Sequence, residues 1–451
     1  MAEENKDKLN FKRILPIFVI VLVDLLGLTI IIPLLPLYAV SFGADPLTIG
    51  VLGTIYPLMQ MLAAPLLGGL SDRYGRKPVL IFSQIGTFIG FLVLGFANAI
   101  PLLFLSRLID GISGANIVAA QAAITDSTTE RTRAQGLGLI GAAFGIGFTL
   151  GPAIAGIALA LSGNNYHVPA YIAALFSLIS ILLTTFWFQE TLPADKRGQK
   201  HGDSAGNVLS RIINGVRNPL VGMLLILMFL QQLVFGGFEQ LLALFTLNRL
   251  GLNAAGNAVV FVFVGVILVF VQGKYIGPWS RRFGERKLIY TGLALLAVGL
   301  IMTAITPGQP VPWYSRAALQ GELDAPDRNP TQTIAVTLPD DSNPGWLGIG
   351  WLMVAMIPAS IGGGILSPSI NSLITRRVAK GGVGGILGVS SALTSAANTI
   401  TPTLGGAMFQ FLGSTAPFLI GGALMGIFMF IAMQTVKSGP EDQPQPATSP
   451  A

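Results

Sequence analysis

The sequence predicts an all-α membrane protein of twelve transmembrane helices, arranged as two six-helix bundles related by an internal repeat. Three observations predict this: the composition, twelve apolar runs of spanning length, and a pattern of glycines, prolines and charges that recurs in the second half. Of 451 residues, 52% are hydrophobic and only 11% charged. With a mean hydropathy of +0.68, the chain has too little polar surface to cover a water-soluble globule. The 55 Gly and 28 Pro would weaken soluble helices. In a membrane they are tolerated, because small residues let helices approach and neighbours re-satisfy broken backbone bonds.

A helix needs about 20 residues at 1.5 Å each to cross a core of about 30 Å. Runs of that order lie at 14–38, 47–70, 79–98, 101–124, 134–161, 169–189, 219–247, 256–279, 288–305, 346–370, 383–411 and 415–436, numbered here as spans 1 to 12. Only Asn98 to Pro101 divide spans 3 and 4, but joined they would form a helix of roughly 70 Å. Two spans are therefore expected. The polar start, Met1 to Arg13, is followed by an apolar run without a small-residue cleavage pattern, so the first span is expected to stay in place.

Lys and Arg set orientation, because short cytoplasmic loops retain them. Of the 27 Lys and Arg residues, 22 fall on one side: Lys6 to Arg13, Arg73 to Lys77, Arg131 and Arg133, Lys196 to Arg217, Arg281 to Lys287, Arg376 to Lys380, and Lys437. Arg249, Arg316 and Arg328 fall on the other, while Arg107 and Lys274 lie inside spans. Both termini are thus expected in the cytoplasm, with the chain multi-pass in a cell membrane and the lipid bilayer its surroundings. The net charge of +6 is spread over many short loops rather than one patch, which argues against a nucleic-acid partner. The expected organisation is a tail at 1–13, a bundle at 14–189, a linker at 190–218, a second bundle at 219–437 with an external loop at 306–345, and a tail at 438–451.

The repeat appears when the loop after span 2 is laid on the loop after span 8. At an offset of 209 residues, Gly68, Ser71, Tyr74 and Gly75 meet Gly277, Ser280, Phe283 and Gly284, although Asp72 meets Arg281. In spans 5 and 11, Gly138, Pro152 and Gly156 meet Gly388, Pro402 and Gly406 at an offset of 250. The 41-residue difference equals the length of the polar stretch Thr306 to Trp346, so the halves are duplicates with one extra loop. That loop is either an external lid or a disordered insertion, and its composition favours the second.

Cysteine is absent, which excludes disulfides, thiolate metal centres and cysteine nucleophiles. His167 and His201 fall in separate predicted loops, so no metal site and no cofactor are expected. No Gly-x4-Gly-Lys-Ser/Thr loop occurs, so ATP is not indicated as the energy source. No catalytic residue, and hence no enzyme, is expected.

Charged residues inside the spans are the candidate functional groups. Asp24 lies about 15 Å along span 1 and Asp110 about 14 Å from the outer boundary, where span 4 begins. Both reach the midplane, where a charge costs about 2.5–3.5 kcal/mol and marks ion or proton paths. Arg107, Asp110, Gly111 and Gly114 stand at i, i+3, i+4 and i+7, so they share one helix face. Burial disfavours a carboxylate's charged form and a nearby cation favours it, so exposure to either side in turn changes proton occupancy. Asp24 is the candidate proton or substrate carboxylate, Asp110 its partner and Arg107 the fixed counter-charge. The alternative is a structural Arg107–Asp110 pair, with Asp24 satisfied by backbone or water. Glu239 is equally open to cavity contact or interfacial exposure. Gln60, Gln121, Gln231, Gln232 and Asn398 are either cavity lining or inter-helix glue, and Lys274 is read as snorkelling.

Several runs resemble the major facilitator superfamily. Gly68-x3-Asp72-Arg73-x-Gly75-Arg76-Lys77 is similar to the family's motif between spans 2 and 3, which latches the two halves together in one conformation. By that resemblance Arg73 pairs with Asp126; the alternative is that Arg73, Arg76 and Lys77 only set topology. Arg107-x3-Gly111 resembles a family motif of span 4. Gly141-x3-Gly145-x-Gly147-x3-Gly151-Pro152-x2-Ala155-Gly156 resembles the gating motif of the twelve-helix drug/proton antiporters, tetracycline exporters among them. Phe188-Gln189-Glu190-Thr191-Leu192 resembles a common family ending, with Gln189 where Pro is usual. The resemblance implies a monomeric secondary transporter in which inward proton movement drives a small amphiphilic or drug-like substrate outward by alternating access. A proton-coupled importer of a sugar or organic acid, or a non-transporting receptor or scaffold, are the competing readings.

Overall fold

Each of the twelve expected spans forms a helix in the computed structural model, which describes residues 11–114, 116–129, 132–198, 205–323, 335–378 and 383–436. The tails up to residue 10 and from 437, with Lys6, Lys8 and Lys437, lie outside the described residues, as do Arg131, Lys200, His201, Arg328 and Lys380. Span 1 runs Phe11–Ile31 and resumes as Leu35–Ser41. The break falls at Pro33, whose missing N–H cannot bond back one turn. Span 2 is Pro46–Tyr74. Asp45 caps it, accepting from the Thr48 N–H at 2.7 Å, and Pro46 takes a first-turn position where no donor is missed. Span 3 is Arg76–Gly95, span 4 is Ile100–Ser113 followed by Asn116–Asp126, span 5 is Arg133–Leu161 and span 6 is His167–Phe186.

After the linker helix Ala205–Arg217, span 7 is Gly222–Leu250. Span 8 runs Ala254–Phe270, passes through a π-helical turn at Val271–Tyr275 and ends as Ile276–Phe283. Spans 9 to 12 are Glu285–Ala304, Leu347–Arg377, Val383–Leu412 and Ala416–Thr435. By length and apolarity eleven helices qualify as membrane-crossing among the described residues. Span 11 is the twelfth, 30 residues long, with Ser390, Ser391, Thr394, Ser395, Asn398 and Thr399 in three successive turns. The outer face of the bundles is apolar: Leu161 and Phe186 are 85% and 83% exposed, the surface a helical protein turns toward lipid.

Four expectations need correction. Span 1 is broken at Pro33 rather than continuous, and span 10 runs on to Arg377 instead of ending near 370. His167 is not in a loop: it opens span 6, with Nδ1 2.9 Å from the Gly95 carbonyl and 3.0 Å from the Tyr38 hydroxyl. Nor is the external loop a disordered insertion where it is described. The Val311 N–H donates to the Leu250 carbonyl at 3.0 Å, the Tyr314 hydroxyl to the Pro339 carbonyl at 2.9 Å, and Asn253 to Glu322 of the helix Arg316–Leu323 at 3.0 Å. These bonds tie the loop over the ends of spans 7 and 8.

The internal repeat is visible in geometry. Gly75 closes span 2 at φ 107° and Gly284 closes span 8 at φ 77°, backbone angles that glycine adopts without strain. Their N–H groups bond the carbonyls of Ser71 and Ser280, at 3.1 and 2.9 Å. Beyond each glycine an ion pair spans to another helix, but with opposite polarity. In the first half Arg76 pairs with Asp126 at 2.9 Å and Asp72 at 2.6 Å. In the second, Glu285 stands at the position of Arg76 and pairs with Arg376, at the position of Asp126, at 2.8 Å. Ser71 accepts from Arg76 at 2.9 Å, and Ser280 donates to Glu285 at 2.9 Å. The scaffold is duplicated and its charges are exchanged.

The bundles meet along two seams, spans 2 with 11 and spans 5 with 8. A Cβ at Gly50 would strike the Pro402 carbonyl oxygen, and one at Gly406 the Pro46 carbonyl oxygen, so these backbones touch directly. Thr54 Oγ1 reaches the Thr399 carbonyl at 3.0 Å and Thr403 Oγ1 at 2.7 Å. On the other seam a Cβ at Gly156 would sit 2.7 Å from Ala258, and one at Gly265 2.9 Å from Thr149 Cα. All these contacts lie away from the basic loops. Toward those loops, Gly138, Gly141 and Gly388 have no neighbour within 4 Å of an added Cβ. The molecule is closed at one end and open at the basic end.

Candidate functional site

Between the bundles lies a cavity of about 580 Å³, a size suited to a drug-like molecule. From the first half it is lined by Asp24, Tyr56, Gln60, Arg107, Asp110 and Asn116, and from the second by Gln231, Gln232, Glu239, Gln272, Asn398 and Thr401. Small residues bring the first wall together. A Cβ at Gly111 would lie 2.7 Å from the Tyr56 carbonyl, and one at Gly90 3.0 Å from Asp110 Cβ. Spans 2 and 3 therefore press on span 4 and seal its charged face inward.

Arg107 Nη1 is 3.2 Å from Asp110 Oδ2, one helical turn away. Its Nη2 donates to Ser106 Oγ at 3.3 Å, and Ser106 in turn donates to the Gly90 carbonyl at 2.9 Å. The guanidinium carbon lies 5.9 Å and 6.0 Å from the ring centres of Phe91 and Tyr56. These contacts hold the guanidinium, although its Nε is buried without a described hydrogen-bond partner. Asp24 Oδ2 accepts from Asn116 Nδ2 at 2.6 Å, whereas Oδ1 is buried with no hydrogen-bond partner among the described residues. No direct bond joins Asp24 to Asp110 among the described residues: Asp110 pairs with Arg107, one turn away on its own helix, and Asp24 bonds Asn116.

Gln60 Nε2 donates to the Gly114 carbonyl at 2.7 Å, and Gln232 Nε2 to Asn398 Oδ1 at 2.9 Å, so each lines the cavity while tying helices together. Gln231 is buried, its Oε1 without a described partner. Glu239 faces the cavity rather than the membrane interface. Gln121 does not line it; the side chain is exposed. Lys274 sits in the π turn, 5.6 Å from the Tyr275 ring centre. Of the residues not singled out from sequence, Asn116 carried the same signal as Gln60, a polar group in an apolar run. Gln272 carried that signal too, but its direction follows from the π turn, which re-aims side chains by one extra residue.

The span 5 motif divides between two contacts. Gly147 and Gly151 receive Thr29 of span 1, whereas Gly156, beyond Pro152, receives Ala258 of span 8. In the loop motif, Gly68 packs near Val118 of span 4. The pairing that the resemblance implied is shifted by three residues: Arg76, not Arg73, holds Asp126, and Arg73 lies over the adjacent Tyr74 ring at 5.3 Å. Gly75 turns the chain so that Arg76 begins span 3 facing the end of span 4. Glu190 accepts from the backbone N–H groups of Arg76 and Lys77 at 2.9 and 3.1 Å, and Lys77 Nζ donates to the Thr185 carbonyl at 2.8 Å. Asp72, Arg76, Asp126 and Glu190 thus knit the first half to itself. The motif does not bridge the halves here, because the end that carries it is the open one.

Two bundles packed around a central cavity that is closed at one end define a multi-pass membrane transporter. A family profile described as Major Facilitator Superfamily matches residues 17–319 and 340–451; the chain belongs to that superfamily. It is 30% identical to the class B tetracycline resistance protein of Escherichia coli over 86% of each chain. It is 23% identical to multidrug resistance protein 2 of Bacillus subtilis, covering 92% of this chain and 94% of that one. Among solved structures, the human organic anion transporter MFSD10 matches with a TM-score of 0.62 at 23% identity, over 93% of this chain and 98% of that one. A mutant of the nucleoside transporter NupG matches with a TM-score of 0.71 at 15% identity, over 94% of this chain and 100% of that one. At those identities the two structures establish the fold alone. Its family and structural neighbours are transporters rather than enzymes.

Proposed function

We propose that this transporter exports small amphiphilic, drug-like molecules in exchange for protons, as a monomer with both termini and the basic loops in the cytoplasm of a cell membrane. The names of the tetracycline and multidrug resistance relatives support export, and the positive-inside distribution of Lys and Arg supports the orientation. The observation that carries the coupling is Asp24, a carboxylate in the cavity wall with one oxygen held by Asn116 and the other without a partner. A charge at mid-membrane costs about 2.5–3.5 kcal/mol on insertion scales, so a proton on Asp24 removes one such charge from the cavity wall and favours the change of state.

In the cycle, substrate enters from the open basic end and Asp24 gives its proton to the cytoplasm. The bundles rock about the two seams, opening the other end. Substrate leaves, Asp24 takes a proton from outside, and the protonated form returns. Arg107 and Asp110 neutralise each other throughout and keep the wall in place. A ligand shifts such an equilibrium only by its difference in affinity for the two states, so substrate and proton must act on the same cavity. In proteoliposomes with an imposed pH gradient, Asp24→Asn is expected to abolish gradient-driven accumulation of a fluorescent amphiphile while preserving gradient-free exchange. Gradient-driven accumulation equal to that of the unaltered protein would overturn the role of Asp24.

A further inference from the structure

We propose that Gln84 and Thr87 of span 3 are positioning residues for proton coupling: they hold an internal water between Asp24 and the Arg107–Asp110 pair, and that water serves both protonation states of Asp24. The inference rests on the role proposed above for Asp24. Twelve buried side-chain nitrogen or oxygen atoms have no hydrogen-bond partner among the described residues, and five of them fall in one wall: Asp24 Oδ1, Gln84 Oε1, Thr87 Oγ1, Arg107 Nε and Asp110 Oδ2. All five residues line the central cavity. Asp110 Oδ2 is paired in charge with Arg107 at 3.2 Å, but the guanidinium is not aligned to give it a hydrogen bond. Buried polar groups are satisfied in all but a few cases, by protein or by ordered water. So dense a cluster marks a wet site.

Gln84 and Thr87 stand at i and i+3, on one face of the span 3 helix. The neighbours of Gln84 settle which way its amide points. Its Nε2 donates to Ser180 Oγ of span 6 at 2.7 Å, and Ser180 donates to the Ile20 carbonyl at 3.4 Å, so Oε1 is the end left over. Ile20 is one turn before Asp24, which places the amide beside the helix that carries the proton carboxylate. Thr87 faces Asp110 without a hydrogen bond of good geometry to any described residue. Gly90, one turn further along span 3, admits Asp110: an added Cβ there would lie 3.0 Å from Asp110 Cβ. The oxygens of Gln84 and of the two ionised carboxylates only accept, so the group between them must donate. Gln84, Thr87 and Asp110, at 1%, 4% and 1% exposure, are too enclosed to meet a drug-sized substrate, whereas a water needs only about two to four polar partners. Of the five residues Asp24 alone is partly exposed, standing between the cavity and this recess. When Asp24 is ionised the water donates to Oδ1; when Asp24 carries a proton the water turns and accepts from it. Thr87 both donates and accepts, so it follows either orientation.

The test compares two rates of the full chain in proteoliposomes, gradient-driven accumulation of a fluorescent amphiphile and its gradient-free exchange. Infrared difference spectra between the protonated and deprotonated protein, in ordinary and in heavy-oxygen water, report the water itself. Thr87→Val keeps nearly the same side-chain volume and removes the hydroxyl. It is expected to lower the ratio of driven to exchange rate at least about ten-fold, the loss of a hydrogen bond to a charged group, and to erase an isotope-sensitive water band present in the unaltered chain. Gln84→Met should lower the same ratio, and Thr87→Ser should restore both ratio and band. A purely structural role for Thr87 predicts equal loss of the two rates, and that result would overturn the proposal. So would an unchanged ratio in Thr87→Val or Gln84→Met, or the lack of such a band in the unaltered chain. Gradient-driven accumulation surviving in Asp24→Asn would overturn the coupling reading itself, whereas its loss there with Thr87→Val unaffected overturns the water site alone.

Discussion

The 2.6 Å bond from Asn116 to Asp24 is the contact that holds the proposed proton carboxylate in place, and it has a measurable consequence. A hydrogen bond to a charged group contributes about 1.5–3 kcal/mol, so Asn116→Ala should slow proton-driven transport about ten-fold or more. Gln121→Ala, at an exposed position outside the cavity, should leave the initial rate unchanged. Equal rates for both variants would remove Asn116 from the mechanism. Asp24, Arg107 and Asp110 were legible in the sequence because charges inside apolar runs are costly and rare. Their partners were not. Whether Arg73 or Arg76 reaches Asp126 depends on the positive φ of Gly75, which starts a new helix between the two arginines, and charge spacing alone does not reveal that turn.

Among the elements, the close approach of spans 2 and 11 makes its own prediction. Gly50→Ala places a methyl group against the Pro402 carbonyl oxygen, a backbone atom that cannot swing aside. Destabilising the closed end by about 1 kcal/mol shifts the population about five-fold. A single cysteine at Asn398 should then react correspondingly faster with an impermeant maleimide from the closed side; an unaltered rate would mean that the seam is not the closure. The exchanged polarity of the repeat makes another. Breaking a buried ion pair costs up to about 3–5 kcal/mol, less here because Asp72 and Asp126 are partly exposed. Asp126→Arg alone should therefore destabilise. Adding Arg76→Glu restores the pair but leaves Asp72 facing a like charge. Adding Asp72→Arg as well reproduces the second half's pattern, so thermal stability should rise in that order from single to triple variant. A triple variant no more stable than the single would contradict the equivalence. The twelve spans and the repeat were legible from run length and offset. The π turn in span 8 was not, because it depends on how the helix packs.

For the whole molecule, the absence of native cysteine permits clean mapping of sidedness: a cysteine at Gly198 should be labelled only from the cytoplasm and one at Ser315 only from outside. The reverse pattern would invert the proposed direction of transport. The external loop shows where composition misled, since among its described residues Thr306, Glu322 and Thr337 bond the ends of spans 7 and 8. The central claim is that one cavity, open to each side in turn, exchanges protons for substrate. The direct measurement records internal pH and substrate content together in proteoliposomes carrying substrate but no initial pH gradient. Exchange predicts that substrate leaving the compartment is matched by protons entering it, with both fluxes lost in Asp24→Asn; protons moving in the same direction as substrate, or not at all, would contradict the account.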